Sequence, residues 1–467
     1  MAASPDIPSY HPDPAILDLG SDFYDAVEPA GFPKCAPRFV NQRWAERVGL
    51  RLDEEKWARH FCRFEPLPAN LREPLALRYH GHQFRVYNPD IGDGRGFTFA
   101  QLRDDRGRLL DLGTKGSGQT PYSRTADGRL TLKGGVREVL ATEMLEALGV
   151  NTSKSFALFE TGEALERGDE PSPTRSAVLT RLSHGHIRIG TFQRLAFFGE
   201  TQNIETLVRY CLEKLYGEQP GTDAKEDALR LFDLASSATA TLAASYLAAG
   251  FVHGVLNSDN INITGESFDY GPWRFTPEWD SDFTAAYFDH YGLYAFGRQP
   301  EAIQWDLAQL AGCLSLITDA TALSELLGGW SARFEQAMIG AMLRRLGVAR
   351  GDGDRELTGA LIRALATRAA PIDRVFFDWR GGRDPGTETY PGGEFRTLAH
   401  RLEGREARRT HAYWSDAAPC SMHIEEVEAI WSAIAERDDW APLHAKIAAV
   451  RRMGDALANA GTQSRSS

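Results

Sequence analysis

Cysteine is scarce in this chain: five residues in 467, at positions 35, 62, 211, 313 and 420, with no C-x-x-C pair among them. Such scatter offers neither a zinc cluster nor a disulfide framework. Reduced, mostly buried thiols in a cytoplasmic protein are expected. Long apolar runs are missing as well. No stretch approaches the roughly 18 residues of a membrane span, and the opening "MAASPDIPSYHPDPAILDLG" lacks the charged and apolar regions of a signal peptide. A basic excess is also absent. With 64 acidic against 52 basic residues and a net charge of −12, the chain has no global attraction for nucleic acid. No repeat emerges at periods of about 20 to 50 residues.

What remains is an ordinary globular composition, 42% hydrophobic and 25% charged, on a chain long enough for about two to three units. Residues 1–75 mix Pro-rich turns with a short helix near "RFVNQRWAERVGL" and form an N-terminal extension expected to pack on the small, strand-rich lobe. Residues 76–200, that lobe, are broken by Gly and Asp into short strands. Phe97–Leu102 and Leu109–Leu112 flank a polar turn at Arg103–Gly107. A helix then carries Val136, Val139, Leu140, Met144, Leu145 and Leu148 on one stripe and stops at Gly149. Strands return at "KSFALFET" and "SAVLTRLS". Residues 201–345 turn helical, with a long apolar-faced helix through "ALRLFDLASSATATLAASYLAAGF" and another at "PEAIQWDLAQLAGCLSLI". Residues 346–467 read as a helical C-terminal extension with a loop at "DWRGGRDPGTETYPGGE", closed by a disordered tail, "NAGTQSRSS". The order predicts an α+β, bilobal, protein-kinase-like fold.

Four groups of residues carry chemistry. In "GDGRG", Gly92, Gly94 and Arg95 suit a phosphate, since glycine lets backbone N–H groups approach an anion and arginine adds a fixed cation; taken alone, the motif is more simply a plain hairpin turn. Lys115 ends a strand and Glu138 lies in the next helix, the arrangement by which kinases hold and orient a phosphate-binding lysine; Glu143 and Glu146 are rivals for the second role. Asp127 and Gly128 form a loop before that helix. Arg181 and Arg188 in "TRLSHGHIRIGTF" are a candidate clamp for a polyphosphate. His184 and His186 between them lack a third ligand and read as polar loop residues.

The strongest signal is "HGVLNSDNINITGESFDYG", from His253 to Gly271. It reproduces the order of helix, catalytic loop, β-hairpin and metal aspartate found in kinases, with Asn260 and Asp269 as oxygen ligands for magnesium. Val255, however, stands where such enzymes carry their catalytic aspartate. Asp259 is the nearest carboxylate. A base approaching from there suits attack on a different phosphorus of the nucleotide.

These residues resemble the selenoprotein O family, the kinase-like protein adenylyltransferases. The likeness is carried by "YHGHQF" with "GDGR", "LDLGTKGSGQTPYSRTADGR", "VREVLATEMLEALG", "VLTRLSHGHIRIGTF" and "HGVLNSDNINITGESFDYGP", spanning about residues 79 to 273. It implies an inverted ATP whose α-phosphorus faces Ser, Thr or Tyr hydroxyls of protein substrates. On that resemblance Gly92, Gly94, Arg95, Lys115, Asp127, Gly128, Arg181 and Arg188 bind ATP, and Glu138 orients Lys115. Asp259 accepts the proton, and Asn260 with Asp269 holds magnesium, manganese being the alternative ion. A monomer acting on ATP and proteins, without nucleic acid or membrane, is expected. The chain departs from the family at Arg85, where glycine is more usual, at "LKGG", where Ser-Ser is, and in lacking a terminal selenocysteine or Cys-rich tail. The alternatives are an ordinary ATP-dependent kinase, against which Val255 argues, and a silent nucleotide-binding pseudokinase scaffold.

Overall fold

The computed structural model describes residues 9–168, 170–405 and 407–458, so the expected tail at 459–467 lies outside the described residues. Twelve strands are assigned among them. β1 (Tyr24–Ala26), β2 (Ala36–Val40) and β3 (Leu75–Leu77) come from the N-terminal part, followed by the small pair β4 (Gly81–Gln83) and β5 (Val86–Asn88). Next are β6 (Thr98–Arg103), β7 (Leu109–Lys115), β8 (Leu130–Thr131), β9 (Lys154–Leu165) and β10 (Thr174–Ser183). A final pair, β11 (Phe251–Val252) and β12 (Arg274–Phe275), lies in the helical part. The main sheet is antiparallel in the order β1-β3-β6-β7-β10-β9-β2, with β8 on β10. The N-terminal segment thus supplies strands at both ends of the sheet.

Local chemistry explains the elements. Between β6 and β7 the Asp104 carboxylate accepts from the backbone N–H groups of Arg106 and Arg108 at 3.0 and 2.9 Å. Gly107 takes the left-handed conformation (φ 75°) that closes this turn. The helix Leu132–Ala147 starts where Thr131 Oγ1 accepts from Gly134 N at 3.1 Å. The long helix Ala224–Ala249 is capped by Asp223 and stopped by Gly250 in the αL conformation.

Each face of the sheet is covered by a different layer. One packs on the aromatic cluster of Trp57, Phe61, Phe97, Phe99, Phe156 and Phe159. The other carries Leu109, Leu158 and Leu179 into the core that holds Val136, Val139 and Leu140 of the helix Leu132–Ala147. Register pairs Lys115 with Leu179 and Gly113 with Arg181 across β7 and β10. Side chains alternate faces along a strand, so Lys115 and Arg181 project on the same, helix-covered side. Helices follow, through Gln299–Leu314 and Trp330–Leu346 to Ile424–Arg437 and Ala441–Ala458. The last two return to the helix Leu132–Ala147. Arg451 pairs with Glu143 through two contacts of 2.7 Å, Lys133 with Glu428 at 2.8 Å, and Gly454 sits where a Cβ would meet Ala147 Cα at 3.2 Å. No described helix is long and apolar enough to cross a membrane.

Two expectations are corrected. The segment after Asn260 is not a β-hairpin: Asn262 bridges Arg188 and Ser267 bridges Thr152, because its backbone pairs outward with neighbouring loops instead of with itself. The expectation that all five thiols are reduced also fails, since Cys35 and Cys62 are bonded, with Cα atoms 6.0 Å apart across 27 residues. Cys62, which ends the helix Glu54–Phe61, lies against the segment leading into β2. That adjacency belongs to the tertiary fold and leaves no mark in the spacing.

Candidate active site

Between the sheet and the helical part lies a cavity of about 360 Å³, the size of a small-ligand site. Gly92, Gly94 and Arg95 line it from the loop between β5 and β6, Lys115 from the end of β7 and Arg181 from β10. Arg188, Asp259 and Asp269 complete the wall on the helical side. Arg181 and Arg188 are both buried, 5% and 2% exposed.

The glycines of "GDGRG" are required by packing. A Cβ on Gly92 would meet the Tyr122 ring at 2.5 Å, one on Gly94 the Tyr122 carbonyl at 2.9 Å, and one on Gly96 the Thr114 carbonyl at 2.1 Å. The loop therefore lies flat against β7 and the 120–126 segment, and its backbone faces the cavity without side chains between. The Arg95 side chain is exposed and has no partner among the described residues.

Lys115 contacts Glu138 Oε1 directly and lies 2.8 Å from Asp269 Oδ1. Glu138 Oε2 is buried without a partner. Its rivals are engaged elsewhere, Glu143 with Arg451 and Glu146 with Arg43 and the Trp44 indole. Arg181 Nη1 reaches Asp269 Oδ1 at 3.2 Å. Burial works to raise the Asp269 carboxyl, but Lys115, Arg181 and Arg188 overcome it and hold the group well below the usual carboxylate range. Asp269 also keeps left-handed backbone, φ 63°, a conformation that costs of order 1–3 kcal/mol in a non-glycine residue and persists only where its surroundings impose it.

Asp259 presents a different environment. It is 8% exposed and its Oδ1 is buried without a partner. Burial pushes its carboxyl up to about 6, against the pull of Arg188. Gly81 and Gly190 make room for it: a Cβ on Gly81 would lie 2.8 Å from Asp259 Oδ1, and one on Gly190 3.5 Å from Asp259 Cα. Asn260 donates from Nδ2 to the Val255 carbonyl at 2.9 Å, which leaves its Oδ1 as the free end. Val255 thus holds the Asn260 amide through its backbone.

Asp127 and Gly128 are not part of the cavity wall. The Asp127 carboxylate pairs with Arg167 at 2.9 Å and accepts from Arg129 N at 3.0 Å. Gly128 is a left-handed turn (φ 69°) pressed against Gly118. Ser123, Arg124 and Ala126 line the cavity from that loop instead. His186 is buried with Nδ1 3.2 Å from Asp111. Burial drives His184 down to about 4.

Among the lining residues that escaped sequence reasoning, three shape the wall around Arg188 and the glycine loop. Asp93 pairs with Arg188 at 3.4 Å and accepts from Leu77 N at 3.0 Å. Tyr79 lies under the Arg188 guanidinium, 4.1 Å from ring centroid to Cζ. Tyr122 backs the glycine loop. Asp93 sits within "GDGRG" itself, and an acid between two glycines facing paired arginines was the available signal.

For a divalent cation the donor chemistry fits. Asp269 and Asn260 offer hard oxygen ligands, and magnesium held with phosphates needs only one or two from protein. No group of three His, Cys, Asp or Glu able to hold a metal alone occurs among the described residues.

Residues 8–387 match the family model described as "Protein adenylyltransferase SelO". The chain is 41% identical over 458 residues to "Protein nucleotidyltransferase YdiU" of Synechocystis sp., covering 92% of this chain and 96% of that one. It is 42% identical over 464 residues to the Gloeobacter violaceus protein of the same name, covering 94% and 95%. The Vibrio cholerae protein of that name is 36% identical over 357 residues, covering 76% and 72%.

Proposed function

The chain belongs to the SelO family of protein adenylyltransferases and is a protein nucleotidyltransferase, and we propose that it moves AMP from an inverted ATP onto Ser, Thr or Tyr hydroxyls in a two-lobed, kinase-like cleft. Residues 76–200 form the first lobe, 201–345 the second, and 1–75 and 346–467 extensions on them. One observation carries the reading: Asp259 is the cavity carboxylate with a buried, unpartnered oxygen, whereas the usual base position is Val255.

In this reading the triphosphate enters first. Gly92, Gly94 and Arg95 receive it from the loop, and Lys115, Arg181 and Arg188 neutralise its charge. Lys115 is kept extended by Glu138. The geometry supports a smaller part for Asp127 and Gly128, which shape the loop that presents Arg124 and Ala126. The acceptor hydroxyl gives its proton to the Asp259 carboxylate as its oxygen attacks the α-phosphorus. The bond from that phosphorus to the bridging oxygen breaks, and pyrophosphate leaves with the electron pair. A magnesium ion on Asp269 and Asn260, or manganese in its place, would neutralise phosphate charge when bound. The cationic wall holds the same charge from the protein side, a preorganised environment rather than a mobile one.

We read the enzyme as a cytoplasmic monomer acting on ATP and proteins. The net charge of −12 supports protein over nucleic-acid substrates. The Cys35–Cys62 bond is the feature that runs against a reducing compartment.

Parallel reactions with ATP labelled at the α- or the γ-phosphate, magnesium and a protein mixture test the reading. Label from the α position only, lost in Asp269→Ala and reduced about 10²- to 10⁴-fold in Asp259→Asn, is expected. Label from the γ position only would restore a kinase; ATP binding without either label would leave a scaffold.

A further inference from the structure

The hairpin β4–β5 rests on the catalytic loop. Its His82 N donates to Ser258 Oγ at 2.7 Å and its Phe84 N to Asn257 Oδ1 at 3.0 Å. Gln83 reaches the cavity, and Gly81 leaves no space for a Cβ beside Asp259. Any hydroxyl brought to Asp259 therefore passes next to this hairpin.

The hairpin tip is strained. Gln83 pairs with Val86, so Phe84 and Arg85 are the two central turn residues. Both have positive φ, 51° and 62°. Asn-Gly is the sequence such a turn favours, and Arg85 occupies a place where glycine would be unstrained. The surroundings impose the conformation. The Phe84 ring packs edge-on against Phe288 at 5.8 Å and Tyr294 at 5.1 Å. Arg85 pairs with Glu301 at 3.2 Å and lies over Trp305.

The loop that meets this tip is ordered yet presents aromatics to solvent. The buried Asp289 carboxylate accepts from Leu293 N and Tyr294 N, each at 2.8 Å, and Tyr294 Oη donates to Asn257 at 2.7 Å. Held this way, Tyr287 is 82% exposed, Tyr291 93% and Phe288 41%, with Val86 at 70% on the hairpin. Nine large apolar side chains are exposed among the described residues, and four of them fall on these two segments. Scattered exposed apolar residues need no explanation, but a concentration beside a reaction centre does.

Resting on the function proposed above, we propose that Phe84, Val86, Tyr287, Phe288 and Tyr291 form the docking rim for the acceptor protein. The rim receives an extended segment that carries an aromatic or large aliphatic side chain close to the target hydroxyl. The occupant follows from continuity. The rim is bonded through Asn257 to the loop bearing Asp259, and the protein acceptor is the macromolecule that must reach that carboxylate. A rigid aromatic surface also binds with little ordering cost.

The test uses the full chain, α-labelled ATP with magnesium, and short synthetic peptides with one central Ser, Thr or Tyr flanked by Phe, Leu, Ala, Glu or Lys. Wild-type enzyme should label Phe- and Leu-flanked peptides with kcat/KM about tenfold or more above Ala-flanked ones. Tyr287→Ser with Tyr291→Ser, both exposed positions, should erase the preference through KM while ATP binding and the melting curve stay as in wild type. Equal labelling of all flanks, or a preference unchanged in the double variant, overturns the proposal. So does self-labelling with no peptide labelled, or a sedimentation shift from dimer to monomer in the double variant with peptide labelling intact, which assigns the face to a second copy. Absence of any α-label in wild type instead overturns the underlying function.

Discussion

Lys115 Nζ lies 2.8 Å from Asp269 Oδ1 while it also touches Glu138 Oε1, so one ammonium group joins the helix carboxylate to the candidate metal carboxylate. Without Glu138 the lysine would collapse fully onto Asp269 and leave the phosphate wall. Glu138→Gln should lower AMP transfer about 10- to 100-fold, and Lys115→Met about 10²- to 10³-fold, each with a normal melting curve. Initial rates with α-labelled ATP measure both. A rate within twofold of wild type in Lys115→Met would remove the lysine from the machinery.

Asp306, on the helix Gln299–Leu314, is 1% exposed and its Oδ2 has no partner. Burial raises its carboxyl well above the usual range, with Asp259 adding to the rise and Arg85 opposing it. A proton held more tightly in the folded state stabilises at low pH, and that contribution is lost as pH rises through the folded value. Asp306→Asn should therefore melt higher than wild type at pH 8, by a few degrees, and the gap should close as pH falls toward 4. A gap that is independent of pH would mean Asp306 is not the titrating group.

Glu143 has a side chain only 3% exposed and depends on Arg451. Arg451→Ala leaves that buried carboxylate with only a longer pairing to Arg43 at 3.9 Å, at a cost of about 2–4 kcal/mol in urea unfolding. Adding Glu143→Gln should recover most of the loss. If the double variant is no more stable than the single, the pair is not what joins these helices.

Two of the five cysteines are bonded and three are free. Thiol titration in denaturant should count three without reductant and five after reduction. Five at the outset would show the Cys35–Cys62 bond to be absent from the purified protein.

Sequence reasoning reached furthest where a residue's place is set by local order. Lys115 was legible because it ends a strand rich in leucine, and Glu138 because it lies one turn into the next helix. Asp259 stood out through the Val255 gap. What stayed hidden depends on how distant segments meet. Choosing Glu138 over Glu143 and Glu146 needs Arg451 and Arg43, which lie far away in the chain. Asp127 and Gly128 lie only a residue or two from Arg124 and Ala126, yet the loop turns the latter toward the cavity. The outward bridges of Asn262 and Ser267, the pairing of Cys35 with Cys62, and the packing of Tyr122 on the glycines are likewise tertiary events without a periodic trace.

The return of the two C-terminal helices onto the helix Leu132–Ala147 has a consequence for control. Kinase-like enzymes that are switched commonly rely on freedom of the helix carrying the lysine-orienting glutamate. Here that helix is tied by Arg451 to Glu143, by Glu428 to Lys133 and by close approach of Gly454 to Ala147. A part fixed at several points along its length cannot serve as a hinge. On the function proposed above, the Lys115–Glu138 pairing would then be the resting state of the molecule, and turnover would be governed by which hydroxyl arrives instead of by whether the enzyme has been switched on.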